Sequence, residues 1–162
     1  QDFDFEFDLM VADAIENFDI YMKLGPKRII FHLGAQKNFE EFKNFLEDLD
    51  MYVRDNVEIG IAFGPNDDLS VVSQFAGKVD FFQCMGIDKI GFQCQEFNEK
   101  VLENIKFLKN NFPGIIMSVD GGINLENAES ILNAGADRIA VGSGIWKSHD
   151  PIDALESFQS LA

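Results

Sequence analysis

The chain has 162 residues, 46% of them hydrophobic, enough to bury one good core but hardly two, so a single domain is expected. Its 13 Lys and Arg stand against 28 Asp and Glu, and the net charge of -15 repels nucleic acid and anionic lipid, which excludes both as natural partners. No apolar run approaches the roughly 18 residues that span a bilayer and no basic stretch precedes an apolar one, so a soluble cytoplasmic protein is expected, with Cys84 and Cys94 as reduced thiols.

Short β-prone runs alternate with helical patterns at intervals of roughly 25 to 30 residues, the spacing of repeated βα units. The first run, residues 5–11, alternates strictly. Phe3, Phe5, Phe7 and Leu9 are expected to face covering helices, and Glu6, Asp8 and Met10 the opposite side. The second run, residues 28–33, carries His32 at its end. Behind it Phe39, Phe42, Phe45, Leu46 and Leu49 form an apolar stripe at helical spacing. In the third run, residues 58–63, Gly60 and Ala62 lie opposite Ile59, Ile61 and Phe63. The fourth covers residues 79–85 and precedes a stripe of Val101, Leu102, Ile105 and Leu108. The fifth, residues 115–120, sets Ser118 and Asp120 opposite Met117 and Val119.

After the fifth run the sequence SVDGGIN passes at once into a stripe of Leu125, Ala128, Ile131 and Leu132, with Asn124 marking the helix start. The sixth run, residues 138–141, leads through VGSGIW to Asp150, with Pro151 at the first helical position of a stripe of Ile152, Leu155, Phe158 and Leu161. No linker interrupts the series. An unbroken βα series means a parallel sheet, either closed as a barrel or open and doubly wound. The alternation of large apolar with small or polar residues favours the barrel, because strands of an open sheet are apolar on both faces. The polar residues then gather inside near the strands' C-terminal ends, where barrel enzymes hold their sites.

Two of the strand ends bear glycines. Such turns present free backbone N–H groups and suit a phosphate, which makes Gly121, Gly122, Gly142 and Ser143 the phosphate candidates; the alternative is tight turns without a ligand. Asp120 stands at the same strand end. A carboxylate beside a phosphate cradle points to chemistry on a phosphorylated small molecule.

FDLMV (7–11), KRIIFH (27–32), GIAFGP (60–65), VDFFQCMGI (79–87), IGFQCQEF (90–97), VDGGIN and VGSGIW follow one another in an order that resembles the ribulose-phosphate 3-epimerase family over nearly the whole chain. The resemblance implies an α/β fold, a TIM-type (β/α) barrel of which about six of eight units are present. It implies interconversion of ribulose 5-phosphate and xylulose 5-phosphate by proton transfer at carbon 3 through an enediolate, in carbohydrate metabolism. It also assigns Asp120 as acid/base and metal ligand, Asp8 as a second ligand, and Met10, Met85 and His32 as residues lining the site. The cofactor implied is one divalent metal ion: Zn, Fe, Mn or Mg. A homo-oligomer is compatible with it.

Three departures from the family pattern stand out. The first run matches the family's third strand, so two βα units, with a metal-binding histidine and the second catalytic aspartate, are expected upstream; a complete short protein is the alternative. Asp8 stands where the family has histidine, which shifts metal preference toward harder ions unless Asp8 is a solvated acid. Gln93 and Cys94 replace a glycine pair in the loop after Gly91, which the resemblance assigns a substrate-binding role, and bulkier residues there reshape the approach to phosphate. Met10 and Met85 serve equally as core filler, and His32 equally as a hydrogen-bonded neighbour of the site. His149 is expected to be exposed. Two further functional readings stay open: a phosphosugar-binding barrel without epimerase activity, and another sugar-phosphate isomerase.

Overall fold

In a computed structural model, which describes residues 3–92 and 95–161, six strands form one parallel sheet in sequence order. They are β1 (Glu6–Leu9), β2 (Arg28–His32), β3 (Glu58–Phe63), β4 (Phe81–Met85), β5 (Ile116–Asp120) and β6 (Arg138–Ala140). Each coincides with one of the six β-prone runs to within a few residues. The sheet is curled, as two contacts demonstrate. Arg138 on β6 donates through Nη1 to Glu58 Oε2 on β3 at 3.1 Å, and Gln83 on β4 donates through Nε2 to Asp8 Oδ2 on β1 at 3.3 Å. In a flat sheet strands three places apart lie about 14 Å from one another, so only curvature brings these side chains together.

The expected division of faces holds. Outward side chains Phe7, Leu9, Ile29, Phe31, Ile59, Ile61, Phe63, Phe82, Met117 and Val119 pack with the helices into the main core. Inward, Ile30, Ala62, Phe81 and Met85 make a small second cluster. Gly60 is needed there, because a Cβ on it would stand within 2.3 to 2.8 Å of the Phe81 ring. One expectation fails at the edge of the sheet. Phe3 and Phe5 are 63% and 57% exposed, because Tyr21 covers Phe7 but no described element lies over the residues before β1.

Two of the three long helices follow their sequence stripes, and the third follows its stripe only in part. In α2 (Phe39–Glu47) Asn38 caps the first turn and Phe42 and Leu46 are buried beneath Phe31 and Phe75. In α5 (Lys100–Asn111) the buried residues are Val101, Asn104, Ile105 and Leu108. Asp150 caps α8 (Pro151–Gln159), with Pro151 at its start as the sequence indicates. The face of α8 is corrected, however. Ala154 and Phe158 are its buried residues, whereas Ile152 and Leu155 are 69% and 44% exposed, since β6 ends the sheet and leaves that side of the helix uncovered.

Five shorter helices complete the series: α1 (Phe18–Met22), α3 (Met51–Asn56), α4 (Leu69–Val72), α6 (Ala128–Asn133) and α7 (Ser143–Trp146). Asn124 does organise the start of α6, its Oδ1 accepting from the N–H groups of Glu126 and Asn127, although regular helix begins only at Ala128. Leu125 of that stripe is 46% exposed. Among the described residues no helix is long and apolar enough to cross a membrane.

Candidate active site

The C-terminal ends of β4, β5 and β6 meet at a cavity of about 360 Å³. Asp120 closes β5 on its wall, and the chain turns immediately through Gly121 and Gly122, with φ of 105° and 70°. Those left-handed angles favour glycine, because a Cβ in that region crowds the following carbonyl. Neighbouring segments also require small residues here. A Cβ on Gly122 would lie 2.8 Å from the Phe97 Cα, and one on Gly144 would lie 2.5 Å from the Ile123 carbonyl oxygen. The loop after β4 and the start of α7 therefore both rest directly on the turn after Asp120. This contact brings Gly142 and Ser143 to the same cavity. Gly86 fastens the arrangement by donating its N–H to the Asp120 carbonyl at 2.6 Å.

The structure gathers most of the residues singled out in the sequence. Asp120, Gly121, Gly122, Gly142 and Ser143 line the cavity together with Met10, Met85, Gly91 and the exposed Phe92. The departures Gln93 and Cys94 lie outside the described residues. Asp8 and His32 are absent from the cavity wall and lie deeper, paired with each other. His32 is 2% exposed and its Nε2 lies 2.5 Å from Asp8 Oδ1, with the ring N–H donating. The hydrogen-bonded neighbour is thus the placement found for His32, and its Nδ1 is buried without a partner. His149 is exposed, as expected.

Sequence reasoning overlooked two features of the interior. Gln83 joins β5 to β1: its Oε1 accepts from Ser118 Oγ at 3.4 Å while its Nε2 donates to Asp8. Both oxygens of Asp8 are consequently engaged, one by His32 and one by Gln83. The second feature is a charged floor at the opposite end of the strands, where Glu58 accepts from both Arg28 and Arg138, and Arg138 stacks over Phe81 at 4.4 Å. Polar residues therefore occupy both ends of the interior, not only the C-terminal end. The alternation that places Met85 inward places Gln83 inward as well, and that was the available signal.

Electrostatics raise the pKa of Asp120 above the ordinary carboxylate range. Burial raises its pKa first, and repulsion from Asp8 and then Glu6 adds to this; His32 and the Gly121 N–H act in the other direction without cancelling it. The carboxylates of Asp120 and Asp8, the second near enough to raise the pKa of the first, are hard oxygen donors. Even so, no group of three His, Cys, Asp or Glu side chains that would hold a metal ion exists among the described residues. These residues alone do not complete a divalent-metal site.

The sequence pattern of the ribulose-phosphate 3-epimerase family matches residues 1–146. The chain belongs to that family. A ribulose-phosphate 3-epimerase of Chlamydia muridarum is 30% identical over 157 residues, covering 93% of this chain and 65% of the relative. One of Schizosaccharomyces pombe is 25% identical, covering 96% of this chain and 65% of the relative. This member of the epimerase family thus spans just under two thirds of the length of those curated relatives. Its fold is also that of the 3-hexulose-6-phosphate synthase from Salmonella typhimurium, with a TM-score of 0.73 at 13% identity over 98% of this chain and 72% of that one. That likeness concerns the barrel fold alone.

Proposed function

We propose that this chain carries the Asp120 half of a ribulose-phosphate 3-epimerase, acting on a pentulose phosphate in carbohydrate metabolism of the cytoplasm. The observation that supports this most directly is the Asp120 carboxyl on the wall of a cavity shared with the Gly121–Gly122 turn and with Gly142 and Ser143. The sugar's phosphate is bound by the N–H groups of the glycine turns, which fixes the carbon chain across the cavity toward Met10 and Met85. Asp120, made more basic by burial and by the neighbouring acids, removes the proton beside the ketone. Met10 and Met85 provide an apolar, polarisable wall that keeps water from the reacting carbon.

Inversion at carbon 3 requires a second acid on the opposite face of the sugar. By resemblance to the family that acid belongs to two further βα units, and this chain contributes six. A divalent ion, when bound, supplies positive charge for the enediolate, with Asp8 and Asp120 offering two of its donors and the others coming from outside the described residues. His32 and Gln83 hold the Asp8 carboxylate in one orientation for that task.

Titration of the chain with xylulose 5-phosphate tests this directly. Saturable binding with little or no formation of ribulose 5-phosphate is expected. Absence of binding would remove the site, and turnover at the rate of a full-length relative would overturn the division of the two acids. In a version completed with the part of the Chlamydia muridarum relative that this chain does not cover, Asp120→Asn should abolish exchange of the carbon 3 proton with deuterated solvent.

A further inference from the structure

The loop after β4 reaches the cavity through Gly91 and Phe92, and a side chain that does not line the cavity holds it in shape. Residues 89–92 form a tight turn: the Phe92 N–H donates to the Lys89 carbonyl at 3.3 Å, and Gly91 stands third with φ of 85°. A positive φ at that place is what a type II turn requires, and glycine supplies it without strain. Gln95 closes the turn from outside. Its Oε1 accepts from the Lys89 N–H at 3.0 Å, while its Nε2 donates to the carbonyls of Lys89 and Phe92, each at 2.7 Å. Three of the hydrogen bonds that a side-chain amide can form are thus directed at one turn.

The turn is also anchored from within and on its flanks. Ile90 packs against the inward cluster of Ile30, Ala62, Phe81 and Met85. Asp88 Oδ1 accepts from Asn66 Nδ2 at 3.2 Å and from Asn98 Nδ2 at 2.9 Å, and the Asn98 N–H donates to the Gly86 carbonyl at 2.9 Å. The Gly91 N–H, by contrast, has no protein partner among the described residues, and it belongs to the same cavity wall as Gly121, Gly122 and Ser143.

We propose that Gln95 is a positioning residue for the phosphosugar: by fastening the turn of residues 89–92 it presents the Gly91 N–H to the substrate's phosphate before the substrate arrives. This rests on the reading of the cavity as a pentulose phosphate site and extends it to a residue outside the cavity wall. An N–H held in place forms a charge-assisted hydrogen bond to phosphate at no ordering cost, whereas a loose turn has to be ordered on binding and loses that much affinity. Loss of one such contact corresponds to a Kd weaker by about tenfold.

Gln95→Met tests the assignment, because methionine fills a similar volume, carries no charge and makes none of the three hydrogen bonds. In the 162-residue chain, calorimetric titration with xylulose 5-phosphate should show a Kd weaker by about tenfold, while the urea midpoint stays that of wild type, since Gln95 lies in a loop outside the core. In the ¹⁵N-labelled wild type without ligand, the heteronuclear NOE of the amides of residues 89–92 should match that of β4, and the Gly91 amide resonance should move downfield when the sugar phosphate binds. In Gln95→Met that NOE should fall and the Gly91 shift should shrink. Equal affinity of the two chains, an unmoved Gly91 amide in a wild type that binds the sugar phosphate, or a loss of affinity that comes with a lowered urea midpoint would each overturn the proposal. A wild type none of whose amides respond to xylulose 5-phosphate would overturn the cavity reading and this assignment with it, an outcome told apart from the others because the NOE of the free chain still reports what Gln95 does to the turn.

Discussion

Gly86→Ala offers a sharp test of how the site is held. Gly86 follows β4 and its N–H binds the Asp120 carbonyl, so the two strand ends are in direct backbone contact. A methyl group on Gly86 would lie 2.0 Å from the Gly121 carbonyl oxygen and 3.0 Å from a Phe97 ring carbon. Ordinary van der Waals contact begins near 3.4 Å, so the Gly121 carbonyl would have to withdraw by roughly 1.4 Å. Backbone cannot swing aside as a flexible side chain does, which places the cost at the upper end of the overpacking range, about 3 kcal/mol. With a urea slope near 2 kcal/mol per molar, the unfolding midpoint should fall by about 1.5 M. Because the displaced carbonyl belongs to the turn after Asp120, xylulose 5-phosphate binding should weaken along with stability. Gly114→Ala is the control: nothing lies within 4 Å of its would-be Cβ, and the midpoint should barely move. A Gly86→Ala midpoint within about 0.3 M of wild type, roughly 0.6 kcal/mol by the same slope, would refute the claim that this contact sets the turn.

Asp120→Asn should stabilise the chain at pH 7, because an acid whose folded value is raised contributes stability below the ordinary carboxylate range and loses it as pH rises through the folded value. Urea midpoints of variant and wild type should converge near pH 4; a variant less stable than wild type at pH 7 would contradict this. Asp137 behaves oppositely: burial raises its pKa, but the Lys109 ion pair and the Met117 N–H outweigh that and leave it lowered. Its charge-linked stabilisation is present at neutral pH and disappears as pH falls below the ordinary carboxylate range, so Asp137→Ala should cost about 1 kcal/mol more at pH 7 than at pH 2. Burial pushes the Cys84 thiol up to about 12, so the Cys84 peptide should remain unlabelled by iodoacetamide at pH 8 until the chain is unfolded. Finally, in a version of the chain that carries the remaining units of a full-length relative, Asp8→Ala should reduce Mn²⁺ binding, measured by the loss of free-ion paramagnetic resonance signal; an isotherm identical to that of the same version with Asp8 intact would remove Asp8 from the donors.

Sequence alone determined the six βα units, their parallel order and the inward face of each strand, because those follow from local alternation, helical stripes and turn residues that need no distant partner. The glycines at the ends of β5 and β6 were legible for the same reason: Gly121 and Gly122 adopt angles that favour glycine, and Asp120 precedes them directly. Tertiary structure decided what depends on curvature. Gln83 looked like one polar residue in an apolar run until β4 faced β1 across the interior and delivered it to Asp8. Glu58 and Arg138 lie 80 residues apart, and only the closing of the sheet makes them partners. The same holds for exposure: Phe5, Ile152 and Leu155 read as core by periodicity, yet the sheet ends beside them. A pattern of hydrophobicity states which face of an element is apolar, whereas what covers that face is settled by the neighbours that the whole fold brings to it.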